Sequence, residues 1–376
     1  MHDYAGRLRR LQQHLRDQGV ELAVFGATDN MRYLTGWAEH GHERLVGLLV
    51  PREGTPAFLV PQMNVSQAAG NLAGIHQVIG WDDGAGWHDA FQSLVDRWRT
   101  DRDGVLLIDD ELHAAHLLGI QRLLPAARYR PASEMMTRLR EIKSPEEIDA
   151  LTRAAQQIDA IYAQALEALR AGMTERDLQE WVLEAIRQSG SRPSFTPLIC
   201  FGPNGAVPHH SPGDTPLQPG DIVIIDIGCV VEGYPSDITR TVSFGAPSDP
   251  DADRIYRIVH AAHHAARATA RPGVTGEEVD AAARRVIEAA GYGAHFIHRT
   301  GHGIGLSTHE PPDIVRGNTR PLQEGMCFSI EPGIYLPGRF GVRIENIVTV
   351  TADGVRSLNA EVPDTLPVVA PGRTLF

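Results

Sequence analysis

VIIDIGCVVEGYPSDITRTV, residues Val223–Val242, begins as an apolar strand and then places an acid where a strand core should have none. Asp226 ends the run Ile222-Val223-Ile224-Ile225, and Asp237 stands just ahead of a second β-prone run, Ile238 to Phe244. A buried carboxylate without a partner is costly, so each needs a cation, a donor network or a metal. The midpoint of the two acids falls between Val231 and Glu232, beside the turn residue Gly233. A hairpin closing there sets the carboxylates opposite each other, or one residue off. Either acid alone has an ordinary explanation: a turn cap for one, an ion pair with Arg240 for the other. Like charges across a ladder repel, so the pair makes sense mainly with a cation between them.

The pattern recurs in CFSIEPGIYLPGRFGVRIENIVTV, residues Cys327–Val350. Glu331 ends an apolar strand, Glu345 lies inside the next, and their midpoint is Gly338 in a turn-rich segment. Two hairpins that each present an acidic pair inside apolar runs are hard to read as solvated faces. A fifth element is IHRTGHGIGLSTHEPP, residues Ile297–Pro312. Glycines on both sides of His302 argue against a helix and allow close backbone approach to a ligand. A lone histidine in such a loop is usually structural, but beside four acids it reads as an imidazole ligand. Four carboxylates and one imidazole, with no thiolate, suit two hard or borderline divalent ions, Mn first and Co or Zn as alternatives. Two such ions about 3.5–4 Å apart activate water and polarise a carbonyl.

The rest of the chain bounds the setting. Its 376 residues are too many for one ordinary core and suit two domains. No run approaches the roughly 18 apolar residues of a membrane span, and the polar N-terminus does not read as a secretory signal. Cys200, Cys229 and Cys327 are far apart in sequence, which points to a reduced, cytoplasmic protein. A net charge of −12 argues against a nucleic-acid partner. Lys143 is the only lysine among 35 basic residues, which we read as arginine bias rather than as a functional signal.

The first 130 or so residues alternate in type, with Leu8, Leu11 and Leu15 at helical spacing and a hairpin predicted at Arg52 to Thr55. They describe an α/β sheet domain with no phosphate loop, nucleophile elbow or metal-spaced cluster. Ser144, Pro145 and Glu147 then open a long helix through a capping box. The domain boundary is placed ahead of it, giving domains 1–132 and 133–376. The second domain reads as α+β, with β-prone segments near 195–201, 222–231, 238–244, 326–331 and 342–350.

In order and spacing these motifs resemble the pita-bread metallopeptidases, in the branch that holds Xaa-Pro dipeptidases (prolidases) and aminopeptidase P. Creatinase is a metal-free relative. The resemblance runs through LREIKSPEEI, GPNGAVPHH, DIGCVVEGYPSDITRT, HRTGHGIGLSTHEPP, IEPGIY and VRIEN. It implies a creatinase/prolidase-type α/β N-terminal domain followed by an α+β pita-bread catalytic domain. It also implies Asp226, Asp237, His302, Glu331 and Glu345 as metal ligands, and all five positions are filled. His209, first of the PHH histidines, is then expected near the reacting carbonyl, and His298 and His309 against substrate or transition state. His209, His309 and Glu331 form the expected catalytic set, with Glu331 also passing a proton to the leaving nitrogen. His210 and His295 are left as structural or solvent-exposed. Arg343 shares a strand face with Glu345 and is expected to orient an acidic ligand and to lie near substrate. An ordinary surface ion pair is the alternative for it.

The activity so implied is hydrolysis of the bond preceding proline in dipeptides or short peptides. The alternatives are an aminopeptidase P acting on longer peptides and a binding protein of the same fold without catalysis. Methionine aminopeptidase is disfavoured by the large N-terminal domain. The resemblance further implies a homodimer, and the lack of a long apolar run argues against a membrane partner.

Overall fold

The computed structural model describes residues 2–39 and 43–370. The chain divides into two compact units, Met1–Arg140 and Glu141–Phe376. The first holds strands β1 (Val20–Phe25), β2 (Gly47–Pro51), β3 (Ala57–Pro61), β4 (Gln77–Trp81), β5 (Val105–Ile108) and β6 (Arg128–Pro131). Its helices are α1 (Tyr4–Asp17), α2 (Asp29–Thr35), α3 (Val65–Ala69), α4 (His88–Arg97), α5 (Ala114–Leu123) and α6 (Ser133–Arg140). The strands make one mixed sheet in the order β4-β3-β2-β1-β5-β6, and β2 and β3 form the expected antiparallel hairpin. β1 is central and almost wholly apolar, because both of its faces are covered. Leu22 and Val24 on it pack with Leu49, Leu59, Phe91 and Ile120.

α6 belongs to this unit, so the division falls at Arg140 and not at the residue 132 read from sequence. Met135, Met136 and Leu139 are buried. The Tyr33 hydroxyl donates to the Leu139 carbonyl at 2.6 Å, and Arg140 Nη1 donates to Asn30 Oδ1 at 2.7 Å. The sequence offers no punctuation at 132 that outweighs these contacts.

The second unit has helices α7 (Pro145–Ala168), α8 (Glu175–Gln188), α9 (Ala252–Thr269) and α10 (Gly276–Ala289). Capping boxes open α7 at Ser144, α8 at Thr174 and α10 at Thr275. The strands are β7 (Arg192–Pro193), β8 (Leu198–Phe201), β9 (Ile222–Ile227), β10 (Cys229–Val231), β11 (Tyr234–Pro235) and β12 (Ile238–Phe244). They continue as β13 (Gly301–Gly303), β14 (Glu310–Ile314), β15 (Cys327–Ile330), β16 (Gly333–Leu336), β17 (Phe340–Arg343), β18 (Asn346–Val350), β19 (Val355–Ser357) and β20 (Val368–Val369). One layout appears twice. Ile158, Leu178 and Val182 of α7 and α8 pack on Ile199, Val223 and Ile225 of the sheet β20-β12-β9-β8. Val259, Val279 and Ala283 of α9 and α10 pack on Phe328 and Val348 of the sheet β14-β13-β15-β18-β19. Among the described residues no helix is long and apolar enough to cross a membrane.

Each sheet contributes one acidic hairpin. In the first, Val231 pairs with Tyr234, Ile227 with Ile238 and Asp226 with Thr239. The turn is therefore Glu232–Gly233, one residue later than the midpoint of the two aspartates. Both residues have positive φ, 50° and 91°, as a two-residue hairpin matched to strand twist requires. A shift of the turn centre by one residue moves the pairing by two. Asp226 and Asp237 thus sit diagonally and on one face, neither directly opposite nor one residue off. In the second hairpin Ile330 pairs with Asn346, and beyond a break Gly333 pairs with Arg343. That register sets Glu331 against Glu345 at the junction where β15/β18 gives way to β16/β17.

Lys143, the sole lysine, is buried. Its Nζ lies 2.8 Å from Glu310 Oε1, and the two side chains are 1% and 6% exposed.

Candidate metal centre

The two hairpins and the β13 loop deliver their polar side chains to a single cavity of about 580 Å³. Asp226, Asp237, His302, Glu331 and Glu345 all line it, as do His209, His298, His309 and Arg343. The nine residues expected at the site thus all line one cavity. Within it, one ligand atom each from Asp226, Asp237 and Glu345 lies within 4.8 Å of the others. The same holds for His302, Glu331 and Glu345, and for Asp237, His302 and His309. Glu345 is common to the first two groups.

The backbone explains how these acids are aimed. Thr239, opposite Asp226 in the ladder, donates its hydroxyl to Glu345 Oε2 at 2.7 Å, and the Glu345 amide donates to the Thr239 carbonyl at 3.0 Å. Ser329 accepts the His302 amide at 2.9 Å and donates to Glu331 Oε1 at 3.0 Å. A side chain on Gly301 would stand 1.9 Å from the Ser329 carbonyl, so only glycine lets the His302 strand approach this closely.

Such crowding of acids is unfavourable without a counter-charge. Burial, then repulsion from Glu345, Asp226 and Glu331, pushes the Asp237 carboxyl well above the usual range. Burial and the neighbouring Glu331 and Asp226 do the same to Glu345. Burial is also the main cause that raises Glu331, to about 7, against the opposing pull of Arg343. His302 is driven down to about 3, by burial first and by His309 second.

Two observations test whether a metal fits here. Asp226 Oδ1 and Glu345 Oε1 are buried with no hydrogen-bond partner. The His302 ring donates from Nδ1 to the Gly303 carbonyl at 3.1 Å, which leaves the Nε2 lone pair facing outward. It faces Asp237 Oδ2 at 3.6 Å and Glu331 Oε1 at 3.4 Å, an arrangement of three acceptors that a shared cation would satisfy. Orphaned acceptors on both sides of one cavity are what hard or borderline divalent cations satisfy.

Arg343 is 4% exposed. Its Nη2 donates to Asp226 Oδ2 at 2.6 Å, Nε to Thr239 at 3.0 Å and Nη1 to the Tyr335 hydroxyl at 3.0 Å. This is a buried orienting contact and not a surface ion pair, and it leaves little of the guanidinium for substrate. His298 is equally committed. Its Nδ1 donates to the Arg299 carbonyl at 2.7 Å and its Nε2 accepts the Tyr335 hydroxyl at 2.8 Å. Burial, with Arg343 next, lowers His298 to about 4, which keeps it a neutral link in that chain. His309 is exposed to the cavity and meets His302 edge-on, ring centroids 4.0 Å apart. His209 is also exposed. His295 donates from Nδ1 to the Tyr335 carbonyl at 3.0 Å and does not line the cavity.

Two titratable cavity residues escaped the sequence reading. Tyr335 follows Glu331 in IEPGIY, and Arg299 stands between His298 and Thr300 in HRTGHG. The Arg299 side chain is 35% exposed and pairs with Asp313. A cation flanked by two site histidines was the available signal for it.

Comparison with known proteins gives the same answer across the chain. Residues 149–352 match metallopeptidase family M24, and residues 7–142 match the creatinase/prolidase N-terminal domain. A Xaa-Pro dipeptidase of Lactobacillus helveticus is 39% identical over 357 residues, covering 93% of this chain and 95% of that one. A probable dipeptidase PepE of Mycobacterium tuberculosis is 41% identical over 360 residues, covering 95% and 94%. The crystal structure of a recombinant prolidase from Thermococcus sibiricus superposes with a TM-score of 0.92 at 36% identity, covering 98% of this chain and 100% of that one. The chain belongs to metallopeptidase family M24 and carries a creatinase/prolidase N-terminal domain ahead of its peptidase domain.

Proposed function

We propose that this chain is a dinuclear-metal dipeptidase that hydrolyses the bond preceding a C-terminal proline. One observation carries the chemistry: four carboxylates and a neutral imidazole converge on one cavity with Asp226 Oδ1 and Glu345 Oε1 left without partners. The substrate follows from similarity to the Lactobacillus Xaa-Pro dipeptidase and the Thermococcus prolidase.

Asp226, Asp237 and Glu345 would hold one divalent ion, and His302, Glu331 and Glu345 the other. When bound, the pair supplies Lewis acidity to the scissile carbonyl and to water. The chain's own groups do the rest. Glu331 takes up the proton that the attacking water gives up and passes it to the prolyl nitrogen, which in a Xaa-Pro bond carries no N–H and must be protonated to leave. His209 and His309 donate to the oxygen on which negative charge develops. Arg343, Tyr335 and His298 hold Asp226 in place as one hydrogen-bonded line. With Arg343 and His298 so engaged, Arg299 is the group that meets the free carboxylate of a dipeptide.

The oxygen-and-imidazole donor set favours Mn, with Co or Zn as alternatives. A homodimer in the cytosol is the setting we assign, and three free, buried cysteines suit a reducing compartment. The test compares kcat/KM for one Xaa-Pro dipeptide and its one-residue extension in Mn, Co and Zn. Preference for the dipeptide is expected. If the tripeptide is turned over tenfold better, about 1.4 kcal/mol in transition-state binding, the chain is an aminopeptidase P.

A further inference from the structure

Glu175 is the first residue of α8 and is wholly buried, 0% exposed. Four donors converge on its carboxylate. Oε1 accepts the Phe201 amide at 2.8 Å and Asn204 Nδ2 at 2.9 Å. Oε2 accepts the Gly213 amide at 3.0 Å and His210 Nε2 at 2.8 Å. The N-terminus of α8 favours a negative charge in this place. The same helix end also grips the segment by its backbone: the Glu175 amide donates to the Thr215 carbonyl at 3.2 Å, and the Arg176 amide to the Gly213 carbonyl at 3.0 Å.

Residues 201–213 are therefore pinned at four points by a single side chain. Between those points the chain makes a turn, closed by the His210 amide donating to the Val207 carbonyl at 3.1 Å. The Val207 amide in turn donates to the carbonyl of Asn204, itself a Glu175 partner, at 3.0 Å. Pro208 and His209 are the two central residues of this turn, and they are the residues of the segment that line the cavity. His209 is exposed and its aim is set by the turn that carries it. The turn is set by His210, whose ring ends on Glu175.

We infer that Glu175 is the positioning residue for His209, acting through His210 and the backbone of the 201–213 segment. It touches neither substrate nor metal site. The inference rests on the dipeptidase reading for its kinetic consequence, but the clamp itself is a property of the protein without substrate. His210, read from sequence as structural or solvent-exposed, is structural in a specific way: it transmits the position of a buried carboxylate to the neighbouring cavity histidine. A carboxylate is required because all four partners are donors. A glutamine in its place offers one acceptor oxygen and an NH₂ group, so donors on one side lose their acceptor while the volume is unchanged.

The experiment uses the full-length, metal-loaded protein and the variants E175Q, H210A, H209A and E175Q/H209A. Expected is a fall in kcat/KM for a Xaa-Pro dipeptide on the order of tenfold to a hundredfold in E175Q, as displacement of a reacting group produces. The loss should divide between kcat and KM in the same proportion as in H209A. The double variant should be no slower than H209A, because a positioning residue has nothing left to position. Losses that multiply in the double variant overturn the inference, since Glu175 would then act independently of His209.

Amide exchange read by mass spectrometry supplies the second measurement. Peptides covering 201–213 should exchange faster in E175Q and in H210A, with β9 and β12 unchanged. Unchanged exchange in 201–213 in both variants overturns the clamp. A wild type inactive on every Xaa-Pro peptide would instead overturn the assigned activity, and the exchange data would still decide the clamp.

Discussion

Replacing Lys143 by methionine isolates the energetic role of the only lysine in the chain. Its Nζ lies 2.8 Å from Glu310 Oε1 with both side chains almost fully buried, and it also reaches the Glu141 carbonyl at 3.4 Å. At that separation and an effective dielectric of about 20, the Coulomb attraction is about 6 kcal/mol. Desolvation of both ions offsets much of it, so the pair adds little net stability relative to an apolar pair of the same size. Removing one partner is different, because a buried charge then loses its nearest counter-charge. We therefore expect K143M to lose about 3–5 kcal/mol. The site cannot relax easily: Glu310 Oε1 sits where a side chain on Gly305 would be, 2.2 Å from its Cβ position, and Oε2 accepts the Ser307 amide at 3.4 Å. E310L should lose a similar amount, while K143M/E310L should return close to wild type. Urea midpoints of the full chain, converted through the m-value, give the comparison. Two results would refute the reasoning. One is single variants within about 1 kcal/mol of wild type, the range of an exposed pair. The other is a double variant as unstable as the two singles added together.

Chelation should abolish turnover, and D237N or H302A should lower metal content and turnover together; full activity in exhaustively chelated protein would contradict the metal reading. R343M should weaken metal binding about ten- to a hundredfold by releasing Asp226, and R343K should not rescue it, because three separate N–H groups of the fork are used. In the metal-free protein Glu331 is raised to about 7, so its contribution to stability is full below the unfolded value of about 4.3 and is lost as pH climbs through about 7. The Tm of metal-free wild type relative to E331Q should accordingly fall across that window, and a flat difference would remove burial as the cause. R299A should raise KM about ten- to a hundredfold for a Xaa-Pro dipeptide but leave the corresponding prolyl amide nearly unaffected, as loss of a charged hydrogen bond predicts; equal losses on both would exclude Arg299 from carboxylate recognition.

Much of this site was legible because its acids break a strong pattern. Asp226, Glu331 and Glu345 interrupt strands that are otherwise apolar, and an interruption of that kind has few physical explanations. The second hairpin could even be registered from sequence, since Gly338 has a φ of 74° and marks a turn centre between Glu331 and Glu345. The first could not be registered to the residue. Glu232 takes a positive φ of 50° that its side chain does not advertise, and that moves the turn by one position. Lys143 illustrates a different gap. Scarcity in the sequence says nothing about burial, and its partner Glu310 lies 167 positions away. Arg299, Tyr335 and Glu175 were missed because each is ordinary where it stands in the chain. Only the fold turns them toward the cavity or its supporting loop.

The charge of the cavity links metal loading to the kind of substrate it can accept. Four carboxylates against the single guanidinium of Arg343 leave a formal charge of −3 when all are ionised, with Arg299 balanced by Asp313. Burial resists that state, which is why Asp237, Glu331 and Glu345 all hold their protons too tightly when no cation is present. In that condition an anionic ligand is repelled by any carboxylate that does ionise. Two divalent ions bring four positive charges, so the fully ionised site passes from −3 to +1. A dipeptide ending in proline places its own carboxylate one residue from the scissile bond, where it meets this reversed potential. A longer peptide carries a neutral amide there and gains less. Metal and dipeptide therefore favour each other by the same free energy, because a coupling between two ligands of one site is reciprocal. On the dipeptidase reading proposed above, the acids that make the centre costly to fold empty would also be the reason that its metal-loaded form attracts a short, C-terminally charged substrate.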